Sequence, residues 1–208
     1  MISKLLLAVQ EKILQKNDPS IQQELHACYE DIRLGLGFTK TAQQYGAFPT
    51  DPYSHTPRHA GAQQPGMTGQ VKEEILTRQA ELGIRIQNGC IHFIPHMIHA
   101  RDFSAKEQTF TFYSLKNEWK EMKLPQKSFF LTVCQTPIIF QYGDEQQIKI
   151  QWSDASEEIE SSAILSPEIS KSIFAREAKI EQITVTIPPA EKALKTSAVS
   201  QDRALNSA

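Results

Sequence analysis

The chain is poor in several things, and each shortage removes a class of protein. Three cysteines stand far apart at Cys28, Cys90 and Cys134 in 208 residues. An odd count with no C-x-x-C excludes a disulfide framework and a zinc ribbon. Free thiols, mostly buried, are the plain reading, with a single disulfide left open. No run approaches the 20 or so apolar residues that a transmembrane helix needs. Neither sign of charge dominates: Lys+Arg number 22 and Asp+Glu 24, for a net charge of -2. No global field therefore attracts nucleic acid or an anionic membrane. There is no G-x-S-x-G, no P-loop, no dinucleotide glycine pattern and no internal repeat, so no cofactor is implied.

What remains is ordinary globular material, 40% hydrophobic and 22% charged, long enough for one large domain or two small ones. The apolar run Leu5–Val9 follows Lys4 but stops at Gln10-Glu11-Lys12 with no A-x-A site after it. That is short for a signal peptide and suits a helix better. The compartment is left open.

Period decides the order of elements. Ile2, Leu6, Val9 and Ile13, widened by Leu5 and Leu14, predict a first helix. After Asn17, Asp18 serves as N-cap and Pro19 as first residue of a second helix, with Ile21, Leu25, Cys28, Tyr29 and Ile32 on one face and an end near Gly35-Leu36-Gly37. Residues 41–70 carry four of the eleven prolines and four of the nine glycines, yet include Tyr45, Phe48 and Tyr53. Such punctuation excludes helix and central strand, while the aromatics favour an ordered functional loop over a linker. Thr68 caps a third helix that starts at Val71-Lys72-Glu73-Glu74 and ends at Gly83.

From residue 84 the period shortens. Strands are expected at 84–87, 91–94, 109–113, 128–133, 138–142, 147–152 and 180–187, with a short helix opened by Ser166-Pro167 before the last. The fold class is therefore α+β: a helical segment over 1–83 including the loop, an antiparallel sandwich-like β domain over 84–187, and a disordered tail over 188–208. A helical hairpin with one further helix buries only part of its apolar stripe. It calls for more helices or a protein partner to cover the exposed face.

The stretch Tyr45-Gly46-Ala47-Phe48-Pro49-Thr50-Asp51-Pro52-Tyr53-Ser54-His55-Thr56-Pro57, followed by Gly61-Ala62-Gln63-Gln64-Pro65-Gly66-Met67-Thr68-Gly69-Gln70-Val71-Lys72-Glu73-Glu74, resembles the C-terminal part of large bacterial proteins of the six-hairpin glycosidase type. In that family an (α/α)6 toroid precedes a β-rich region. The resemblance implies a carbohydrate partner and a loop bordering the substrate cleft. It also implies that most of the toroid lies outside this chain, since two or three helices cannot close six hairpins, and that the isolated chain lacks a complete active site. The alternatives are a non-catalytic carbohydrate-binding module and an interaction module docking through its helical face.

Read on their own, the loop residues suit a sugar. Tyr45, Phe48 and Tyr53 offer flat stacking faces, and His55, Arg58, His59, Gln63 and Gln64 offer hydrogen bonds to hydroxyls. Glycoside hydrolysis needs two carboxyl groups. Asp51 is the sole acid of the loop, with Glu73 or Glu74 as the nearest second. Only one of two adjacent helical residues can face the loop. The bland reading makes Asp51 a turn residue before proline, the aromatics loop packing, and the glutamates a solvated helix start. His55-x-x-x-His59 has helical metal-ligand spacing, but Pro52 and Pro57 deny it a helix, and Pro95 breaks up His92, His96 and His99. No metal site is expected. Trp119 and Trp152 have two readings, a sugar-binding face and ordinary packing. Cys28 is expected to fill core.

Overall fold

The computed structural model describes residues 2–15, 18–35 and 71–188. The chain divides into two compact units, Met1–Glu81 and Leu82–Ala208. The class is α+β as expected, helices first and sheets after. The candidate loop residues named above, all within 41–70, and the tail from residue 189 onward lie outside the described residues.

In the first unit, α1 (Ile2–Gln15) packs against both α2 (Pro19–Gly35) and α3 (Val71–Glu81). Asp18 caps α2 as its type predicts: one carboxylate oxygen accepts from the Ser20 backbone N–H at 2.9 Å and the Ser20 hydroxyl at 2.8 Å. Those bonds to Ser20 hold the carboxyl below its usual range. The buried stripe of α1 is Ser3, Leu6, Gln10 and Ile13, so two polar residues share the face that hydropathy assigned to apolar ones. On α2 only Tyr29 is fully buried, and Cys28 is exposed, so the expectation that it fills core is corrected.

The second unit is built on a five-stranded sheet of order β5-β6-β9-β7-β8. Its strands are β5 (Ser128–Val133), β6 (Thr136–Tyr142), β7 (Gln147–Trp152), β8 (Glu157–Glu160) and β9 (Ile180–Ile187). Two ribbons stand beside it, β1 (Ile84–Gln87) with β2 (Cys90–Phe93), and β3 (Gln108–Tyr113) with β4 (Trp119–Leu124). Asn88-Gly89 makes the tight turn of the first ribbon, both residues at positive φ. All pairs are antiparallel except β6 with β9. That parallel pair arises because α4 (Pro167–Phe174) carries the chain back, so that β9 enters between the two hairpins. The caps read from sequence hold here too: Ser166 accepts from the Ile169 N–H and Pro167 opens α4.

One face of the sheet, with Ile138, Phe140, Ile148, Ile150, Ile183 and Val185, packs against Ile84, Ile91 and Phe93 of the first ribbon and Ile169 and Ile173 of α4. Phe93 meets Phe140 edge-on at 5.8 Å between ring centroids. Each such fully buried side chain contributes about 1.5–3 kcal/mol. The other face meets the second ribbon at Phe130, whose ring lies 4.1 Å from Phe110 and 5.8 Å from Phe112.

Candidate functional site

Two places in the described residues hold unusual polar or aromatic arrangements, one in each unit. In the helical unit the interior is partly polar. Gln10 Nε2 donates to the Tyr29 hydroxyl at 3.2 Å and to the Thr77 carbonyl oxygen at 3.0 Å, joining α1, α2 and α3. The Tyr29 hydroxyl in turn donates to Glu81 Oε1 at 2.7 Å. Glu81 also receives Arg78 at 2.6 Å and Arg33 at 3.5 Å. Burial, and then the bond to Glu81, push the Tyr29 phenol well above its ordinary range. A buried polar network of this kind fixes which faces meet, because any slip leaves a group unpaired.

The same helices leave apolar side chains outside. Leu5 and Ile75 are each 53% exposed, and Ile21, Leu34 and Leu76 are exposed as well. On α3 the buried stripe is Glu73, Thr77 and Ala80, while Ile75 and Leu76 face outward.

Of the two glutamates offered as partners for Asp51, Glu73 is the buried one and Glu74 is half-exposed. Glu73 is only 7% exposed, and its Oε2 has no hydrogen-bond partner. An acid in the first turn of a helix gains about 0.3–1 kcal/mol from the helix dipole. Burying an unpaired carboxylate costs several kcal/mol. The dipole does not offset that cost.

In the second unit the register of β3 and β4 sorts the two tryptophans. Trp119 stands opposite Tyr113, Glu121 opposite Thr111, and Lys123 opposite Thr109. All six are exposed and share the outer face of the ribbon, because side chains alternate along a strand. Trp119 is 72% exposed and meets Tyr113 edge-on at 5.4 Å. The side chains of Thr109, Thr111, Glu121 and Lys123 make no hydrogen bond or ion pair with any described residue. Trp152, by contrast, packs half-buried against the core, which leaves it the ordinary role.

The inner face of the ribbon is different. Phe112, Ser114, Lys120, Gln135 and Glu181 border a shallow surface cleft. Lys120 is already bound to Glu181 at 2.9 Å, so the charges bordering this cleft pair with each other.

None of the eight loop residues, Tyr45, Phe48, Asp51, Tyr53, His55, Arg58, His59 and Gln64, falls within the described residues. Among the described residues no three His, Cys, Asp or Glu side chains are grouped to hold a metal ion. His92 is half-buried in β2, His96 is exposed, and the His99 backbone N–H donates to Asp102 at 2.8 Å. Sequence reasoning missed the Gln10–Tyr29–Glu81 network, since polar residues within an apolar stripe read as its boundary. Their i, i+7 spacing, Ser3 to Gln10 and Leu6 to Ile13, is the signal that could have found it. No protein-family model matches the chain, and no match is found among curated proteins.

Proposed function

We propose that the chain is the carbohydrate-binding, C-terminal part of a glycosidase-like protein, lacking a complete active site when alone. The observation that carries the reading is the Trp119–Tyr113 pair on the outer face of the β3–β4 ribbon. A large aromatic left in water forgoes the burial energy that would otherwise be its contribution to folding. An indole and a phenol side by side present flat apolar area with polar edges, which matches the C–H face and hydroxyl rim of a pyranose ring. The next pair on the same face, Thr111 and Glu121, lies one strand repeat away, about 7 Å. Its hydroxyl and carboxylate are uncommitted and suit hydroxyl groups. In the parent protein the loop over residues 45–64 would border a separate sugar-binding cleft.

Native gels containing soluble neutral polysaccharides (glucans, xylans, mannans) test the proposal. Wild type is expected to be retarded by at least one of them. Trp119→Ala and Tyr113→Ala should run freely while melting within a degree or two of wild type, because both side chains are exposed. A chain blind to every glycan, or retardation that survives Trp119→Ala, overturns the reading.

A second reading has its own observation. The outward apolar side chains Leu5, Ile21, Leu34, Ile75 and Leu76 support a protein-interaction role for the helical unit. It predicts a stable oligomer or a co-purifying partner by light scattering and pull-down, without any glycan effect.

A further inference from the structure

The five-stranded sheet ends in two unlike edges, β5 and β8. An edge strand presents a row of N–H and C=O groups that another strand can complete. At β8 charge guards that row. Its residues are Glu157, Glu158, Ile159 and Glu160, and burial and then the charge of Glu158 raise the Glu160 carboxyl above its usual range. A second acidic strand laid there would set like charges together. At β5 no such guard exists. Ser-Phe-Phe-Leu-Thr-Val carries no charge, no proline and no glycine.

The bonds at the start of β5 show which of its residues face out. The Ser128 carbonyl accepts from the Ser104 N–H at 2.8 Å, and the Ser128 N–H donates to the Ser104 hydroxyl at 3.3 Å. The backbone groups of Ser128 therefore point away from β6, and by alternation so do those of Phe130 and Thr132. Among the described residues, the outward groups of Phe130 and Thr132 have no hydrogen-bond partner. Thr132 is exposed, and Phe110, whose ring lies 4.1 Å from that of Phe130, is 41% exposed beside it.

We propose that a second copy of the chain adds its own β5 to this edge, antiparallel and about a twofold axis at Leu131, giving a symmetric dimer with one continuous sheet. That register sets Phe130 against Thr132 of the second copy, so each outward N–H meets an outward C=O. It also sets Leu131 against Leu131 and Phe129 against Val133, which are the half-buried and buried apolar residues of the strand. A neutral edge accepts an identical neutral edge, whereas the glutamates of β8 reject their own kind. One open edge and one charged edge close the assembly at two copies and bar a filament. The inference is independent of the carbohydrate reading.

Sedimentation equilibrium of the full chain over a range of concentrations reads the assembly, and amide exchange locates it. Wild type is expected to approach twice the chain mass as concentration rises. The Phe130 and Thr132 amides should be protected in the dimer and exchange freely on dilution. The Leu131 amide, which faces Ile138 of β6, should stay protected in both states. Thr132→Pro removes an outward N–H, and Thr132→Lys puts a charge on the edge without touching the backbone. Each should weaken association at least about tenfold, since a twofold interface loses every contact twice. Thr132→Val keeps the N–H and should dimerise like wild type. A monomer at every concentration overturns the proposal, whether Phe130 and Thr132 exchange freely or another segment of the chain protects them. A dimer that persists in Thr132→Lys, or that leaves those two amides unprotected, has its interface elsewhere and overturns it too. Assembly beyond two copies removes the guard at β8 and with it the closed dimer.

Discussion

The Tyr29 hydroxyl reaches across 52 positions of sequence to donate to Glu81 Oε1 at 2.7 Å, while accepting from Gln10. One phenol thereby links the three described helices of the first unit. Its removal should be felt in more than one place. Tyr29→Phe leaves the buried Gln10 amide short of an acceptor and takes a donor from Glu81, at an expected cost of about 1–3 kcal/mol.

That bond also predicts a pH dependence with a definite sign. The Tyr29 phenol is raised above its unfolded value near 10.0, by burial first and the Glu81 bond second. Its contribution is fully present below pH 10 and is lost as pH rises through and beyond that value, because the unfolded phenol ionises first. Urea titrations of wild type and Tyr29→Phe at pH 8, 9, 10 and 11 should show the stability gap between them shrinking above pH 10, by up to about 1.4 kcal/mol per pH unit. A gap independent of pH would mean the phenol is not shielded.

Ser170 is fully buried on α4, and its hydroxyl accepts from the Ile91 backbone N–H at 3.1 Å while lying 3.4 Å from the Leu165 carbonyl oxygen. It supplies the partner that an edge strand would otherwise lack. Ser170→Ala should cost about 1–3 kcal/mol, since a buried N–H is orphaned. Amide exchange at Ile91 should accelerate more than at Ile183, a core strand residue that does not depend on this bond.

Two glycines at positive φ separate backbone strain from steric fit. Gly89, at φ +76, has open space where a Cβ would go. Gly83, at φ +72, would place a Cβ 2.7 Å from Ile98 Cδ1 and 3.3 Å from Pro95 Cα. Gly89→Ala should cost about 1 kcal/mol for the left-handed backbone alone. Gly83→Ala should cost about 1–3 kcal/mol more, for the overpacking. Equal losses by chemical denaturation would show that Ile98 moves aside freely.

Much of the fold was legible one residue type at a time. Asp18-Pro19 and Ser166-Pro167 announce helix starts because cap and first-turn chemistry are local. Asn88-Gly89 announces its hairpin for the same reason. Two strands escaped, β4 and β8. Trp-Lys-Glu-Met-Lys-Leu and Glu-Glu-Ile-Glu carry charge because a ribbon and a sheet edge face water, and that charge hides them from an apolar pattern. The eight candidate loop residues were singled out by composition and lie outside the described residues, so their reading rests where sequence left it.

Sequence alone determined where the capped helices begin, where most strands lie, which turns are tight, and that helices precede sheets, because each depends on interactions within a few residues. Only the tertiary structure decided that Gln10 lies inside while Leu5 and Ile75 lie outside. It alone set β9 parallel to β6, exposed Trp119 rather than Trp152, and buried Glu73 rather than Glu74. Those outcomes turn on contacts between residues tens of positions apart, where packing and hydrogen-bond satisfaction outweigh the hydropathy of any one side chain.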